Sequence, residues 1–392
     1  MTRYVIIGGG IAGTTAAEEI RKRDTEGEIT IIDAEGHPCY SRVLLSHYAK
    51  GKIERERLFL KKPSWYKEKN IELMSGVTVT KIDPINTFVL TSEDRELPYD
   101  KLLITTGGEL RLLPEDKRGV SYLRTLDDAD HLLQLISEIK ERPEDERRGI
   151  VMGAGFIGVE YINIFAEHDI PTTALIRSGG FWSKNIAKHS QKVIIDHVKN
   201  QGVEVLVNTS YQTMLGETDF AGLRLKDGQE IAAQILGVGI GLQYSHEIFT
   251  QAGLETAEGV IANEYLETNL ENIYVAGDVA EFSDVIVGRR VRIGTWMNAL
   301  MQARAVAKTM TGERTEYQLV PSYAIDILGL DIVFVGDTDR EKTDEIVQRV
   351  SEGNKSVELF IRDQHLVGAV LIGDVAERQK ITDAIKAKKM LE

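Results

Sequence analysis

The chain opens with apolar runs separated by a helical pattern. Tyr4 to Ile7 is a short continuous apolar run, residues from Ile11 to about Arg23 follow a helical pattern, and Ile29 to Ile32 is a second apolar run. Short apolar runs with a helix between them are typical of buried parallel strands. The beginning of the chain therefore predicts a strand, a helix and a second strand.

Glycines join the first apolar run to the helical pattern. Gly8, Gly10 and Gly13 have the spacing G-x-G-x-x-G, and Asp33 ends the second run about 20 residues further on. The first glycine of such a turn lets the chain bend, the second lets the backbone approach a pyrophosphate, and the third lets helix and strand pack closely. The helix N-terminus offers N–H groups to phosphates, and the carboxylate accepts ribose hydroxyls. These features predict a dinucleotide site rather than a tight turn without a ligand.

The same pattern occurs a second time. Gly149 to Met152 is apolar, a helical pattern runs from Phe156 to about His168, and Thr172 to Ile176 is the next apolar run. The glycines of this turn are Gly153, Gly155 and Gly158. Two such units predict two nucleotide sites and an α/β fold.

The two units differ at the end of their second strand. Arg177 takes the position that Asp33 has in the first unit, followed by Ser178 and, further on, Lys184. A carboxylate there repels the 2′-phosphate of NADP, whereas an arginine pairs with it. The substitution favours NADPH over NADH as the ligand. The alternative is that Arg177 is only a solvated charge at a strand end.

Three later segments complete the predicted organisation. Pro143 to Arg148 (PEDERR) is charged and turn-forming, which predicts a linker before a new domain. Asn272 to Gly277 predicts a strand that stops at Asp278, and Thr295 to Met310 predicts a helix.

Composition narrows the class of protein. The 392 residues are 42% apolar and 28% charged, which is ordinary for a folded chain of two or three domains. The net charge of −14 argues against nucleic acid or an anionic membrane as the main partner. Glycines and acids break the N-terminal apolar run, and no run approaches the roughly 20 residues of a membrane span. Cys39 is the only cysteine, which excludes an internal disulfide and fits a reducing cytoplasm.

Seven ordered motifs resemble the pyridine nucleotide-disulfide oxidoreductase superfamily. The resemblance is to its cysteine-independent branch of rubredoxin reductases, ferredoxin reductases and the flavin modules of NAD(P)H nitrite reductases. The motifs are VIIGGGIAG at the start, HPCYSRVLLSHYAKG from His37, KLLITTGG from Lys101, YLRTLDDAD from Tyr122, GAGFIGVE from Gly153, NIYVAGDVAEF from Asn272 and TWMNALMQARAVAKTMTG from Thr295. The resemblance covers the whole chain and implies FAD together with NADPH or NADH as cofactors.

The resemblance also implies the domain organisation: two Rossmann-like domains, the first interrupted by the second, and a small α+β C-terminal domain. Residues 1–115 and 245–312 would bind FAD, 116–244 would bind NAD(P)H, and 313–392 would form an interface-like domain that could support a homodimer. In the last domain, Val357 to Arg362 and Leu366 to Ile372 predict a hairpin.

The resemblance assigns roles to several residues. Asp278 would hold the ribityl and pyrophosphate region of FAD, together with the N-terminus of an adjoining helix; the alternative is an ordinary helix cap. Arg42 and Arg124 would reach the FAD, although Arg42 would also suit the surface. Trp296 would lie near the isoalloxazine, or simply in the core. Glu160 would lie near the nicotinamide, or face solvent.

The predicted site is summarised by three sets. The catalytic candidates are His47, Glu160 and Trp296. The predicted FAD contacts are Gly8, Gly10, Ile11, Ala12, Gly13, Asp33, Ala34, Arg42, Val79, Thr106, Gly107, Arg124, Asp278 and Trp296. The predicted nicotinamide-nucleotide contacts are Gly153, Gly155, Phe156, Ile157, Gly158, Glu160 and Arg177, and no metal ligand is predicted.

Two positions depart from related patterns. Related reductases often have a lysine directly after the Leu-Ser pair, where this chain has His47. A histidine is able to donate to a flavin, but a loop histidine without a redox role is the alternative. In the branch that uses one redox cysteine, the corresponding position falls on Val43 and not on Cys39. Electrons are therefore expected to leave directly from the flavin.

The implied activity is hydride transfer from NAD(P)H to FAD, followed by electron release to a small carrier such as rubredoxin or ferredoxin. One alternative is an NAD(P)H oxidase or a reductase of a small acceptor such as a quinone. Another is a flavin-bound redox sensor or interaction protein, as in flavoproteins similar to apoptosis-inducing factor.

Overall fold

The computed structural model describes residues 1–350 and 355–390, and its contacts divide the chain into two compact units. Unit 1 consists of Met1–Ser41, Arg55–Glu109 and Gln243–Pro321. Unit 2 consists of Arg42–Glu54, Leu110–Leu242 and Ser322–Glu392. Each unit therefore gathers segments that are distant in sequence.

The helices of the described chain are α1 (Ile11–Arg23), α2 (Leu45–Ala49), α3 (Pro63–Glu68), α4 (Leu126–Lys140), α5 (Phe156–Glu167), α6 (Lys188–Asn200), α7 (Glu247–Gln251), α8 (Trp296–Met310) and α9 (Arg378–Lys386). The strands are β1 (Arg3–Ile7), β2 (Glu28–Asp33), β3 (Ile71–Ser75), β4 (Val79–Asp83), β5 (Phe88–Thr91), β6 (Glu96–Pro98), β7 (Lys101–Ile104), β8 (Glu109–Leu110), β9 (Val120–Ser121), β10 (Gly149–Met152), β11 (Thr172–Ile176), β12 (Glu204–Val207), β13 (Tyr211–Leu215), β14 (Gly222–Leu225), β15 (Glu230–Ala232), β16 (Ile235–Val238), β17 (Leu242–Gln243), β18 (Val260–Ala262), β19 (Ile273–Val275), β20 (Ala280–Asp284), β21 (Arg289–Arg292), β22 (Ser322–Ile327), β23 (Leu330–Gly336), β24 (Glu345–Val350), β25 (Ser356–Arg362) and β26 (His365–Ile372). Among these helices, none combines the length and the apolar character needed to cross a membrane.

A five-stranded parallel sheet lies at the centre of unit 1, in the order β19-β7-β1-β2-β3. Parallel strands are usually covered on both faces and are therefore apolar throughout. Ile6, Ile31 and Leu102 fit this rule, because none of them is exposed. The first predicted strand, helix and strand are confirmed as β1, α1 and β2. The late strand β19 pairs with β7 and brings the segment around Asn272 into the same sheet.

A second five-stranded parallel sheet lies in unit 2, in the order β12-β11-β10-β16-β9. The second predicted unit is confirmed as β10, α5 and β11. The prediction of a domain linker at Pro143 to Arg148 is wrong. That stretch contains a short 3-10 helix, Glu144–Glu146, between α4 and β10, and both neighbours belong to unit 2. Charge and a proline indicated a turn correctly, but a turn within a domain has the same composition as a linker.

The last described segment of the chain forms an antiparallel sheet in the order β22-β23-β26-β25-β24, with α9 packed against β23 and β26. The predicted hairpin is confirmed as β25 and β26. Its turn residues Asp363 and Gln364 both have positive φ, 50° and 61°, as a two-residue turn between twisted strands requires. With two parallel sheets and this third sheet, the predicted α/β class is confirmed.

Candidate functional site

The glycine turn of unit 1 is packed tightly at its first and last glycines and open at its middle glycine. A Cβ atom at Gly8, where φ is +108°, would lie 2.4 Å from the carbonyl oxygen of Thr105. A Cβ at Gly13 would lie 1.9 Å from the carbonyl oxygen of Gly8. A Cβ at Gly10 would meet no atom of the described chain within 4 Å. The turn thus holds helix α1 close to the strand while leaving open space at its second glycine, which is the cradle that a pyrophosphate requires.

The carboxylate of Asp33 lies against the same turn. A Cβ at Gly9 would be 2.6 Å from its Oδ2 atom, so the end of β2 and the glycine turn touch. Gly9 is therefore a constrained position that the G-x-G-x-x-G spacing did not identify. Thr105 is a second residue that sequence reasoning missed. Its hydroxyl oxygen lies 3.0 Å from the carbonyl oxygen of Ile7 and 2.9 Å from that of Gly8. The single hydroxyl hydrogen is shared between these two acceptors.

The other predicted FAD contacts of unit 1 lie near the carboxyl ends of the sheet strands or follow them in the chain. Ala12 is buried inside α1, Ile11 is half-buried at the first position of the helix, and Ala34 is exposed directly after Asp33. Val79 is buried at the start of β4. Thr106 and Gly107 follow β7, whose neighbours in the sheet are β1 and β19. The carboxyl ends of these parallel strands share one edge, where ligands of such sheets bind.

Asp278 lies in the connection between β19 and β20, after Gly277 with a φ of +83°. In the chain, β20 follows Asp278 directly, and the helix predicted at Thr295 to Met310 is α8. The same connection rules out the alternative of an ordinary helix cap for Asp278. The fold instead brings α8 back to it: a Cβ at Gly294 would lie 3.7 Å from the Asp278 carboxyl carbon. The cap of α8 is Thr295, whose hydroxyl accepts from the backbone N–H of Asn298 at 3.3 Å.

Trp296 is the first residue of α8, and its side chain is half-buried. Its indole Nε1 is shielded from solvent and has no hydrogen-bond partner among the described residues. A buried donor left without an acceptor is costly, so such groups usually serve a ligand or an ordered water. The orphaned N–H, the cradle at Gly10 and the carboxylate of Asp33 together fit a dinucleotide such as FAD in unit 1.

The glycine turn of unit 2 repeats the same geometry. A Cβ at Gly153, where φ is +129°, would lie 2.2 Å from the carbonyl oxygen of Gly239, and one at Gly158 would lie 2.4 Å from that of Gly153. A Cβ at Gly155 would again meet nothing of the described chain within 4 Å. The second turn is therefore also open at its middle glycine. It fits the pyrophosphate of a second dinucleotide.

Aromatic side chains pack beside this second turn. Phe156 lies at the start of α5. Its ring centroid is 4.0 Å from that of Tyr323 and 5.3 Å from that of Trp182. Ile157 is exposed, and Arg177 is exposed directly after β11. Burial, together with the nearby carboxylate of Glu160, raises the pKa of the Tyr323 hydroxyl, which therefore remains protonated.

Glu160 forms an ion pair that the sequence did not predict. The Lys50 ammonium lies 2.8 Å from the Glu160 carboxylate, and the side chains are only 11% and 25% exposed. Lys50 directly follows α2, whereas His47 is exposed on that helix. The alternative of a purely solvent-facing Glu160 is therefore wrong. Nothing in the spacing indicated that residues 50 and 160 would meet.

Two predicted FAD contacts of unit 2 lie together. Arg42 donates through Nη1 to the backbone carbonyl of Arg124 at 2.5 Å. Arg124 immediately precedes a capping box at the start of α4, in which Thr125 and Asp128 exchange hydrogen bonds. The Asp128 carboxylate also accepts from the backbone N–H of Arg124 at 2.9 Å. The motif LRTLDD thus fixes the backbone of Arg124.

Cys39 is buried, with 3% exposure, in unit 1. Its backbone N–H donates to the hydroxyl of Tyr66 at 3.1 Å. Burial raises the pKa of Tyr66, so the hydroxyl stays protonated. A buried cysteine of this kind packs as a small apolar residue.

Family models match most of the chain. Residues 2–303 match the pyridine nucleotide-disulphide oxidoreductase model, and residues 321–389 match the rubredoxin NAD+ reductase C-terminal domain. Among curated relatives, the nitrite reductase [NAD(P)H] of Bacillus subtilis is 28% identical over 98% of this chain and 47% of its own length. The putidaredoxin reductase of Pseudomonas putida is 30% identical over 91% of this chain and 85% of its own.

The chain spans about half the length of two of these relatives: 47% of the nitrite reductase and 49% of the assimilatory nitrate reductase electron transfer subunit of Bacillus subtilis. A solved structure of the covalent putidaredoxin reductase–putidaredoxin complex is similar throughout. It has a TM-score of 0.91 and 27% identity, and the match covers 99% of this chain and 93% of that chain.

Proposed function

The chain belongs to the pyridine nucleotide-disulphide oxidoreductase family, and we propose that it passes electrons from NADPH or NADH, through bound FAD, to a small iron–sulfur or rubredoxin-type carrier protein. The observation that carries this proposal is the pair of glycine turns, one in each unit. Each turn is closely packed at its first and last glycines and open at its middle glycine. Two such cradles suit two dinucleotides. The match of the C-terminal segment to a rubredoxin reductase domain supports the kind of acceptor.

In unit 1, the proposed FAD site consists of carboxylates and hydrogen-bond donors around the first glycine turn and the start of α8. Asp33 would accept the ribose hydroxyls, the N-terminus of α1 would bind phosphate through its free N–H groups, and Trp296 would donate its orphaned Nε1–H. Asp278, beside the start of α8, would orient the ribityl and pyrophosphate region. When FAD is bound, it supplies a ring that accepts a hydride and releases electrons singly.

In unit 2, the proposed nicotinamide-nucleotide site uses the second turn and the face of α5 beyond it. Phe156 and Glu160 are four residues apart on this helix and so share a face. Glu160 holds the Lys50 ammonium on that face. We assign Lys50 and Glu160 to the nicotinamide end of this site, where the pair would orient the reacting ring. His47 stays a second candidate, exposed one helical turn earlier.

Arg177 bears on the choice of donor. It is exposed directly after β11, at the position where a Rossmann-like unit contacts the adenosine ribose. A guanidinium there favours the 2′-phosphate of NADPH. We propose NADPH as the preferred donor, with NADH as a slower one.

Several features of the wider organisation remain proposals. The three domains would be 1–115 with 245–312, 116–244, and 313–392, of which the last would be interface-like and could support a homodimer. The cytoplasm is the proposed location, because the sequence has a single cysteine and none to form a disulfide with it.

The test is anaerobic reduction of the FAD-loaded protein by NADPH and by NADH in separate experiments, followed by mixing with a panel of acceptors. The panel would contain a rubredoxin, a ferredoxin, a quinone and oxygen. The proposal predicts fast reoxidation by at least one carrier protein and slow reoxidation by oxygen. Reoxidation by oxygen as fast as by every carrier would make the chain an oxidase, and slow reoxidation by all of them would favour a redox sensor.

A further inference from the structure

The segment that carries Lys50 is attached to α5 at both ends of that helix. Near the start of α5, Glu160 pairs with the Lys50 ammonium at 2.8 Å. At its end, Glu167 pairs with the Lys52 ammonium at 2.7 Å, and Nε2 of His168 lies 2.7 Å from the carbonyl oxygen of Ala49. Lys50 therefore lies between two contacts with the C-terminal end of α5, one through the backbone carbonyl of Ala49 and one through the side chain of Lys52.

His168 makes the attachment closest to Lys50 in the chain. A carbonyl oxygen only accepts hydrogen bonds, so Nε2 of His168 carries the proton that it donates to Ala49. The other ring nitrogen, Nδ1, lies 3.0 Å from the Lys140 ammonium at the end of α4 and accepts from it. His168 thus links the end of α4 to the end of α2, and the two contacts fix the orientation of the ring.

The carbonyl of Ala49, which accepts this hydrogen bond, lies at the C-terminal end of α2. The last carbonyls of a helix have no partner within the helix, and α2 has only five residues. His168 supplies a partner to the carbonyl of Ala49, one peptide before Lys50. The Lys52–Glu167 pair is a weaker attachment, because its side chains are 51% and 41% exposed and solvent screens it. His168 is half-buried at the contact and is not screened to the same extent.

We propose that His168 is a positioning residue for the proposed reaction: through the carbonyl of Ala49 it sets the place of the Lys50 ammonium over Glu160. This inference rests on the proposed role of the Lys50–Glu160 pair in nicotinamide oxidation. A side chain that orients a reacting ring loses much of its effect on the reaction rate when it moves by about 1 Å. Loss of the His168 link frees the end of α2 and allows such a movement without removing any group of the pair.

The experiment compares variants of the FAD-loaded full-length protein. His168→Leu removes both hydrogen bonds, and His168→Gln keeps an N–H donor of similar reach. His197→Leu is the matched control, because Nε2 of His197 also donates to a backbone carbonyl, that of Leu328, at 3.0 Å and on a different helix. Lys50→Met removes the ammonium itself.

Two quantities are measured. Hydrogen exchange by mass spectrometry follows the backbone amides of residues 45–54, and anaerobic stopped-flow follows the limiting rate of flavin reduction and the nicotinamide concentration for half-saturation. In His168→Leu, exchange in residues 45–54 should rise about fivefold, as expected for one lost hydrogen bond. The limiting rate should fall about tenfold with little change in half-saturation. His168→Gln should stay within about twofold of the wild type in both quantities, and His197→Leu should leave residues 45–54 unchanged.

Unchanged exchange of residues 45–54 in His168→Leu would overturn the positioning role, whatever Lys50→Met does. An equal loss in His168→Gln and His168→Leu would overturn it as well, since the donated hydrogen bond would then not be the cause. The Lys50→Met arm tests the proposed function separately. A normal limiting rate in that variant, together with faster exchange in His168→Leu, would refute the role of the pair in the reaction while His168 kept its role in holding α2.

Discussion

The Lys50 ammonium lies 2.8 Å from the Glu160 carboxylate, and both side chains are largely shielded from solvent. The two residues come from different structural contexts: Lys50 follows a five-residue helix, and Glu160 lies within the helix behind the second glycine turn. Their contact is one of several that join the short segment Arg42–Glu54 to the rest of unit 2, because α2 also packs against α4, although the neighbours of this segment in sequence belong to unit 1.

Replacing either member of this pair should slow the proposed reaction. In Lys50→Met the Glu160 carboxylate loses its counter-charge and the contact that holds it in place, so the limiting rate of flavin reduction should fall at least tenfold. Stopped-flow absorbance under anaerobic conditions measures this rate. Lys52→Met is the control, because its ion pair with Glu167 is exposed and its loss should change the rate less than twofold. Equal rates in Lys50→Met and Lys52→Met would contradict the assignment.

Two alanine substitutions in the first glycine turn should have opposite consequences. Gly13→Ala places a Cβ 1.9 Å from the Gly8 carbonyl oxygen, so it should lower the free energy of unfolding by about 3 kcal/mol. Gly10→Ala enters open space with an ordinary φ of −67°, so the fold should keep its stability while FAD binding weakens. Thermal unfolding of the apoprotein and FAD titration separate the two effects. A Gly10→Ala protein that binds FAD normally would show that the pyrophosphate does not lie there.

Asp278→Ala should lower the amount of FAD that stays bound on purification. The substitution removes a carboxylate beside the start of α8, where we propose that it orients the ligand. The ratio of flavin absorbance to protein concentration measures occupancy, and Glu93→Ala, which removes an exposed carboxylate in unit 1, is the control. Full occupancy in Asp278→Ala would remove this residue from the proposed site.

Arg177→Glu should weaken the binding of NADPH more than that of NADH. A carboxylate at this position repels the 2′-phosphate, which only NADPH carries. The half-saturating concentrations of both nucleotides in flavin reduction measure the effect, and the ratio should change at least tenfold. A similar change for both nucleotides would leave the proposed preference for NADPH without support.

Acid should weaken one ion pair at the edge of unit 1 in a defined range. Arg3 lies 2.7 Å from Asp100 and lowers the pKa of that carboxyl to about 2 from its usual value of 3.8. A lowered pKa in the folded state stabilises the fold above the usual value, and this stabilisation is lost as the pH falls from about 4 to about 2. Because Asp100 is 41% exposed, Asp100→Asn should cost about 1 kcal/mol or less at pH 6. Urea unfolding should show the difference between wild type and variant shrinking below pH 4.

Local patterns in the sequence predicted much of the fold. The strands β1, β2, β10 and β11 and the helices α1 and α5 follow from apolar runs and helical periodicity, and the glycines mark the turns between them. The hairpin of β25 and β26 also follows from its pattern. The segment Pro143–Arg148 shows the limit, because a charged turn looks the same within a domain as between domains.

The candidate site was predictable only where it depends on local sequence. The open space at Gly10 and at Gly155 follows from the glycine spacing. The contacts of Thr105 with the turn, of Asp33 with Gly9, and of Lys50 with Glu160 depend on how distant segments come together. The family resemblance drew attention to His47, whereas the fold places Lys50, which follows the same helix, against Glu160.

The most direct test of the account is an anaerobic titration of the FAD-loaded protein with NADPH, performed on the wild type and on Cys39→Ser. If electrons leave directly from the flavin without a thiol, about one equivalent of NADPH per chain should bleach the flavin absorbance fully in both proteins. A requirement for about two equivalents in the wild type, or a failure of Cys39→Ser to be reduced and reoxidised, would contradict it.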